Sequence, residues 1–246
     1  MDVSIVVTAY NYERYIEECL DSCLYQLGTG LDYEVIVIDD GSTDNTPVLL
    51  ERRSCSCLRV LRIDNSGIEV AANQGFAVAR GRYIVRVDAD DSLAPDYLAR
   101  MESVLNRGFG FYYPDYSIID TDSIPQEVVR LPDFDVLEVI ARGDFLATGT
   151  MYSAELLRLH GGYNTQTRNS GLENYELIIK LITAGVKGLH VAEPLFQYRR
   201  HQINMSKTRT AGIVAYGRAL FERNTLGPFR TNQYHPYKLV LPKEIT

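Results

Sequence analysis

Residues 83–91 read Tyr83-Ile84-Val85-Arg86-Val87-Asp88-Ala89-Asp90-Asp91, an apolar, β-branched run that stops in three carboxylates. Its length and its Val/Ile content mark 83–87 as a buried strand. Three similar runs lie upstream, at residues 3–8, 34–38 and 58–63. Helical spacing fills the intervals at 12–26, 46–53 and 68–79. Strand and helix alternating in this way predict an α/β fold, a Rossmann-like and mostly parallel sheet with helices on both faces. In such sheets ligands gather at the carboxyl ends of the strands. The residues found there are Tyr10-Asn11, Asp39-Asp40-Gly41-Ser42, Asp64-Asn65 and Asp88-Ala89-Asp90-Asp91. Asp and Asn are common in turns and caps, and Thr43 or Asp44 ahead of Thr46-Pro47 reads as a helix start of that kind. Carboxylates converging on one rim nevertheless repel each other, and make physical sense where a cation or a hydrogen-bond donor belongs among them. The Asp88-Ala89-Asp90 pair offers the oxygen ligands that Mg²⁺ and Mn²⁺ favour, alongside substrate phosphates.

Beyond residue 95 the pattern continues with a helix to about 106, an extended aromatic segment at 109–113 and an irregular loop at 120–132. Segments 135–142, 154–160, 172–184 and 211–223 have helical spacing, and 148–152, 187–191 and 195–199 look extended. A tail carrying Pro228, Pro236 and Pro242 follows Gly227. At 246 residues the chain is long enough to bury a sizeable core without metal or disulfide staples. With 25 basic and 32 acidic residues the net charge is −7, which argues against a nucleic-acid-coating surface. No run approaches the ~18 apolar residues of a spanning helix, so the expectation is a cytoplasmic protein with at most peripheral membrane contact. In that compartment the Asn204-Met205-Ser206 sequon stays silent. Cys19, Cys23, Cys55 and Cys57 lack the spacing of common zinc sites and are expected as reduced thiols.

Other nucleotide and hydrolase chemistries fail on their motifs. The Gly28-Thr29-Gly30 sequence follows a helix instead of forming a strand-to-helix turn, so it is no dinucleotide fingerprint. GxxxxGK[ST], GxSxG and HExxH are absent. A nucleotidyltransferase would need an N-terminal glycine-rich triphosphate loop, which is also missing.

Five ordered stretches resemble the family 2 glycosyltransferases of the GT-A fold over about residues 2–206. They are Val3 through Asn11, Val37 through Asp44, Gly81 through Asp91, Leu172-Glu173-Asn174-Tyr175-Glu176-Leu177, and Tyr198-Arg199-Arg200-His201 with Asn204-Met205-Ser206. The resemblance implies a nucleotide-sugar donor, most often a UDP-sugar, a divalent Mn²⁺ or Mg²⁺, and inverting transfer to a hydroxyl of a saccharide or lipid-linked glycan, as in polysaccharide biosynthesis. Carried over, Thr8, Ala9 and Tyr10 would line the nucleotide pocket and Asp39 would accept from the base. Asp88 would lie near the ribose and metal, and Asp90 would bind the metal. His201 would be the C-terminal metal ligand or diphosphate contact. A cation held there would neutralise the charge growing on the leaving diphosphate. Of Arg199 and Arg200, adjacent on a strand, only one can assist. The resemblance implies residues 1–203 as the transferase domain, with a nucleotide-binding half at 1–107 and an acceptor-side half at 108–203, and 204–246 as a C-terminal extension.

One position departs from the family. Where the resemblance implies a Glu-Asp pair with the Asp as base, this chain has Glu173-Asn174. An Asn amide has no proton-accepting chemistry near neutral pH, and a general base is worth roughly 10² to 10⁴ in rate. Either Glu173 or Glu176 substitutes, or the chain is a base-impaired variant or a nucleotide-sugar-binding pseudoenzyme. Thr148-Gly149-Thr150-Met151-Tyr152 resembles the acceptor-side loop, with a core strand carrying a glycine bulge as the alternative. Gly161-Gly162-Tyr163 reads either as a mobile flap or as an ordinary turn.

Overall fold

Alternation along the first strands sets the architecture. In β1 (Val3–Ala9), Val6 faces one side of the sheet while Ile5 and Val7 face the other. The same division holds in β2 (Tyr33–Asp39), where Ile36 and Ile38 oppose Val35 and Val37, and in β4 (Tyr83–Asp88), where Ile84 opposes Val85 and Val87. All of these residues are buried, so both faces need covering, as parallel sheets require. Helices α1 (Ile16–Leu24) and α4 (Tyr97–Glu102) cover one face; α3 (Ile68–Val78), α6 (Ala154–His160) and α7 (Glu173–Thr183) cover the other.

The computed structural model describes residues 1–142, 149–202, 204–227 and 229. Its remaining elements are α2 (Thr46–Glu51), β3 (Leu58–Arg62), β5 (Ser92–Leu93), β6 (Phe111–Ile119), β7 (Pro125–Val129), α5 (Val136–Arg142), β8 (Met151–Ser153), β9 (Gly188–Arg199), α8 (Met205–Thr208) and α9 (Thr210–Arg223). The sheet runs β3-β2-β1-β4-β8-β6-β9-β5, with β7 paired to β6. The first four strands are parallel, as expected, and the second half is mixed: β8 is antiparallel to β4 and β6, while β6 and β9 are parallel.

Three sequence expectations are corrected. The segment 120–132 is not wholly irregular, because β7 forms within it; its Pro125 sits first on an edge strand, where a missing N–H costs little. Segments 187–191 and 195–199 are one continuous strand, β9, whose register against β6 shifts around Asp115 and Pro194. The helix expected over 12–26 shortens to α1, entered through a turn in which the Tyr12 carbonyl accepts the amides of Tyr15 and Ile16 and ended by the non-helical backbone of Tyr25 at φ −109° and ψ 52°. Residues Ile213, Leu220 and Phe221 of α9 are buried in the same cluster as Leu172, Tyr175 and Ile178. Thr148 and the tail prolines Pro228, Pro236 and Pro242 lie outside the described residues. No helix among the described residues is long and apolar enough to cross a membrane.

Candidate active site

The carboxyl ends of β1, β2 and β4 open on one rim, and their loops are tied to each other. Asn11, at φ 60°, accepts the Thr43 amide at 2.7 Å through Oδ1 and donates its own amide to Ser42 Oγ. An Asn tolerates this left-handed conformation better than most side chains. Tyr10 projects from this turn and is 45% exposed, while Thr8 and Ala9 are buried beneath it. Asp39 is buried; its Oδ1 accepts the Ser42 amide at 2.9 Å and its Oδ2 lies 3.6 Å from Arg62 Nε. Asp39 and Arg62 form one wall of a cavity of about 340 Å³ that reaches Leu50, Arg53 and Cys55. Asp40 holds the turn leading into α3 by accepting the amides of Ser66 and Gly67.

Asp88 and Asp90, two residues apart, enter different networks. Thr8 Oγ1 donates to Asp88 at 3.2 Å, and Arg86 grips both oxygens of Asp88 with Nη2 at 2.7 and 2.9 Å. Burial pushes the Asp88 carboxyl up from its ordinary value; Arg86 opposes the shift, and Asp90 and Glu173 add to it. Asp90 Oδ2 instead meets His201 Nε2 at 2.8 Å, across 111 positions of sequence, with Asn204 Nδ2 at 3.4 Å. The His201 ring stacks on Tyr15 at 5.4 Å, and its Nδ1 is buried without a hydrogen-bond partner.

Behind this pair Arg199 is almost fully buried. Its amide donates to Asp91 Oδ1, its Nε to the Asp90 carbonyl, its Nη1 to the Asp120 carbonyl and Ser123 Oγ, and its Nη2 to Glu18. Arg200 points out to solvent, so alternation separates the two arginines as expected, and Arg199 braces the aspartate turn from within.

Whether this donor set suits a divalent ion follows from its chemistry. Among the described residues no group of three or more His, Cys, Asp and Glu side chains is arranged to hold a metal. Asp90 and His201 do supply two adjacent donors of suitable chemistry, a carboxylate oxygen and the imidazole Nε2. The residues fit a cation that draws its other ligands from diphosphate and water, as Mg²⁺ and Mn²⁺ commonly do.

At the start of α7 the two neighbouring residues part company. Glu173 Oε1 accepts Arg86 Nη1 at 2.9 Å, whereas Glu173 Oε2 is buried and has no partner. Asn174 takes other partners: its Oδ1 accepts the hydroxyls of Tyr152 at 2.6 Å and of Tyr163 at 3.2 Å, the latter ring lying 5.4 Å from the Arg86 guanidinium carbon. Burial raises the Tyr163 phenol far above its ordinary value, which keeps it a donor. Glu176 is bound to α9 through Tyr216 and Arg223 and also accepts from Asn164, away from the rim.

Tyr163 is held by reciprocal bonds between its backbone and Asn73. Its ring is 3% exposed, so this segment is a pinned turn and not a free flap. Gly149, at φ 87°, donates to the Arg86 carbonyl, and a Cβ there would sit 2.8 Å from the Phe196 ring. Arg86 was not legible as a site residue from motifs, although a cation between Val85 and Val87 in a buried strand already demands a partner.

The family model for glycosyl transferase family 2 matches residues 4–147. The chondroitin synthase of Pasteurella multocida is 30% identical over 188 residues, which is 74% of this chain and 19% of that protein. The putative glycosyltransferase EpsH of Bacillus subtilis is 24% identical over 249 residues, 96% of this chain and 72% of that protein. Among solved structures, S. aureus TarS in complex with UDP-GlcNAc superposes with a TM-score of 0.74 at 20% identity, covering 93% of this chain and 67% of that one. The mannosyltransferase PcManGT of Pyrobaculum calidifontis, in complex with GDP-Man and Mn²⁺, gives 0.70 at 22% identity, covering 91% and 64%. The chain therefore spans about a fifth of the synthase it matches, and its fold is the GT-A fold of these transferases. It belongs to glycosyl transferase family 2.

Proposed function

We propose that this member of glycosyl transferase family 2 is a hexosyltransferase, one that moves a sugar with inversion from a nucleoside diphosphate, a UDP-sugar, to a hydroxyl of a saccharide or lipid-linked glycan. The observation that carries the reading is the meeting of two groups on one rim. Asp90 and His201 stand 2.8 Å apart, and the unpartnered Glu173 Oε2 is linked to the same rim through Arg86 and Asp88. Residues 1–203 form the transferase unit in this reading, and 204–246 form an extension whose helix α9 docks on α7.

Each residue acts through its own chemistry. The exposed Tyr10 ring stacks the base, the Asp39 carboxylate accepts from it, and Thr8 and Ala9 line the pocket beneath. Asp88 stands near the ribose. Asp90 and His201 would hold Mn²⁺ or Mg²⁺, which would offset negative charge on the diphosphate. Glu173 accepts the proton of the acceptor hydroxyl through Oε2 as that oxygen attacks, on the face opposite the leaving diphosphate. Asn174 favours a second reading, a nucleotide-sugar-binding protein with little transfer, in which α7 carries no base.

The test is thermal denaturation with UDP and GDP, each with and without Mn²⁺, on the parent and on Asp90→Ala. A ligand at about 100 times its Kd stabilises by roughly 2.7 kcal/mol. The parent is expected to show that shift with UDP and Mn²⁺ together, and Asp90→Ala to lose most of it. An undiminished shift in Asp90→Ala, or no shift with any combination, overturns the proposal.

A further inference from the structure

We infer that Arg86 is a positioning residue that fixes the rotamer of Glu173 and aims its Oε2 at the attacking hydroxyl, an inference that rests on Glu173 being the proton acceptor. Arg86 sits in the middle of β4, and its side chain leaves the strand on the same face as Ile84. It is 4% exposed, and a guanidinium in such a place persists only when paired, because desolvating an ion costs several kcal/mol.

Asp88 alone would satisfy that need. Nε and Nη2 of Arg86 already bind its two oxygens in a fork at 2.7 to 3.0 Å, and the Tyr163 ring lies 5.4 Å from the guanidinium carbon. The second carboxylate is the feature that pairing does not require. Glu173 arrives from another element, 87 positions away, and gives one oxygen to Nη1. The cluster then holds two carboxylates against one cation, with a buried carboxylate oxygen left unpartnered, an arrangement that costs stability. Gripped at one oxygen, the Glu173 side chain loses its freedom to rotate, and the other oxygen, buried until an acceptor hydroxyl reaches it, is held in one orientation. Preorganising a reacting group in this way is worth orders of magnitude in rate. A lysine could not take over both tasks, since a single ammonium cannot bind the Asp88 fork and reach Glu173 in the same geometry.

The experiment is a double-mutant cycle on release of nucleoside diphosphate in the presence of Mn²⁺. The donor is whichever of UDP-GlcNAc, UDP-glucose and GDP-mannose is turned over fastest. Glu173→Gln is expected to lower kcat by about 10² to 10⁴. Arg86→Lys is expected to lower kcat by about 10- to 100-fold, beyond whatever change the loosened Asp88 makes in donor Kd as read from thermal shifts. The double variant is expected to be no slower than Glu173→Gln alone, because an aim without a base has nothing to act on. Glu173→Asp keeps the carboxylate but withdraws it from Nη1, and is expected to lose as much kcat as Arg86→Lys; this arm decides the matter should Arg86→Lys not fold. Losses that multiply in the double variant, a rise in donor Kd at unchanged kcat, or full kcat in Glu173→Asp overturn the role of Arg86 and leave the base reading standing. Full kcat in Glu173→Gln removes the base reading itself and the inference with it.

Discussion

Replacing Asn174 by Asp separates the two readings of α7, and its consequences follow from the geometry. The side chain is 5% exposed, and its oxygen already accepts two tyrosine hydroxyls. A carboxylate in that place strengthens both bonds by about 1 kcal/mol each, since hydrogen bonds to charged groups exceed neutral ones by that much. Against this stands the removal of a charge from water, several kcal/mol, next to the negative Glu173. The balance is a cost of about 2 kcal/mol at neutral pH, which raises the carboxyl in the folded state above its ordinary value. A raised carboxyl is neutral in both states below the unfolded value near 4, so the cost is absent there. It grows as pH rises from the unfolded value to the raised folded one, and is constant above that. For a chain of this length 2 kcal/mol corresponds to about 4–8 °C in Tm. Thermal denaturation of parent and Asn174→Asp at pH 4.5 and pH 7.5 measures the difference, and the nucleoside diphosphate release assay measures the rate. The expected result is a Tm deficit at pH 7.5 that shrinks at pH 4.5, with turnover within about threefold of the parent. Turnover raised 100-fold or more, or a variant more stable than the parent at pH 7.5, refutes the reasoning and restores position 174 as the place for a base.

Other perturbations have sharp outcomes as well. Glu176→Gln disconnects α7 from Tyr216 and Arg223 of α9 and is expected to lower stability by about 1 kcal/mol in urea denaturation while turnover changes less than threefold; turnover reduced 100-fold would make Glu176 the base. Gly81→Ala places a Cβ 2.5 Å from the Ser4 amide nitrogen and 2.7 Å from the Tyr83 carbonyl oxygen, backbone atoms that cannot rotate away. A loss of about 3 kcal/mol is expected by the same denaturation, and a neutral effect would contradict the close approach of β1 and β4. Cys55 is exposed and its thiol is held below the ordinary value by a hydrogen bond from Cys57, whereas Cys19 and Cys23 are buried. Iodoacetamide on the native protein should therefore label Cys55 first by peptide mass analysis, and early labelling of Cys19 would place α1 wrongly.

The first half of the fold was legible because local pattern and tertiary role coincide there. Residues 5–7 and 35–38 are apolar on both faces, which only a sheet covered twice can use, and each strand runs straight into the polar residues that form the rim. Legibility fell where partners are distant. Strand β7 is mostly exposed and begins with a proline, so two valines alone do not announce it; pairing with β6 makes it a strand. Arg199 and Arg200 are equivalent in sequence, and only packing against Asp90 and Glu18 puts the first inside.

The Glu173-Asn174 pair shows the same limit at the site. Its sequence announces an absent carboxylate at the second position, and says nothing of where either side chain points. Sequence by itself determined the sheet, the acidic rim and the residue types available for metal and nucleotide, because period and strand-end chemistry are local properties of the chain. Tertiary structure alone decided that Asp90 meets His201 across 111 positions, and that Glu173 pairs with Arg86 while two tyrosine hydroxyls occupy Asn174. The direction of a side chain is set by which distant donors can satisfy it once water is excluded, and no local pattern encodes that.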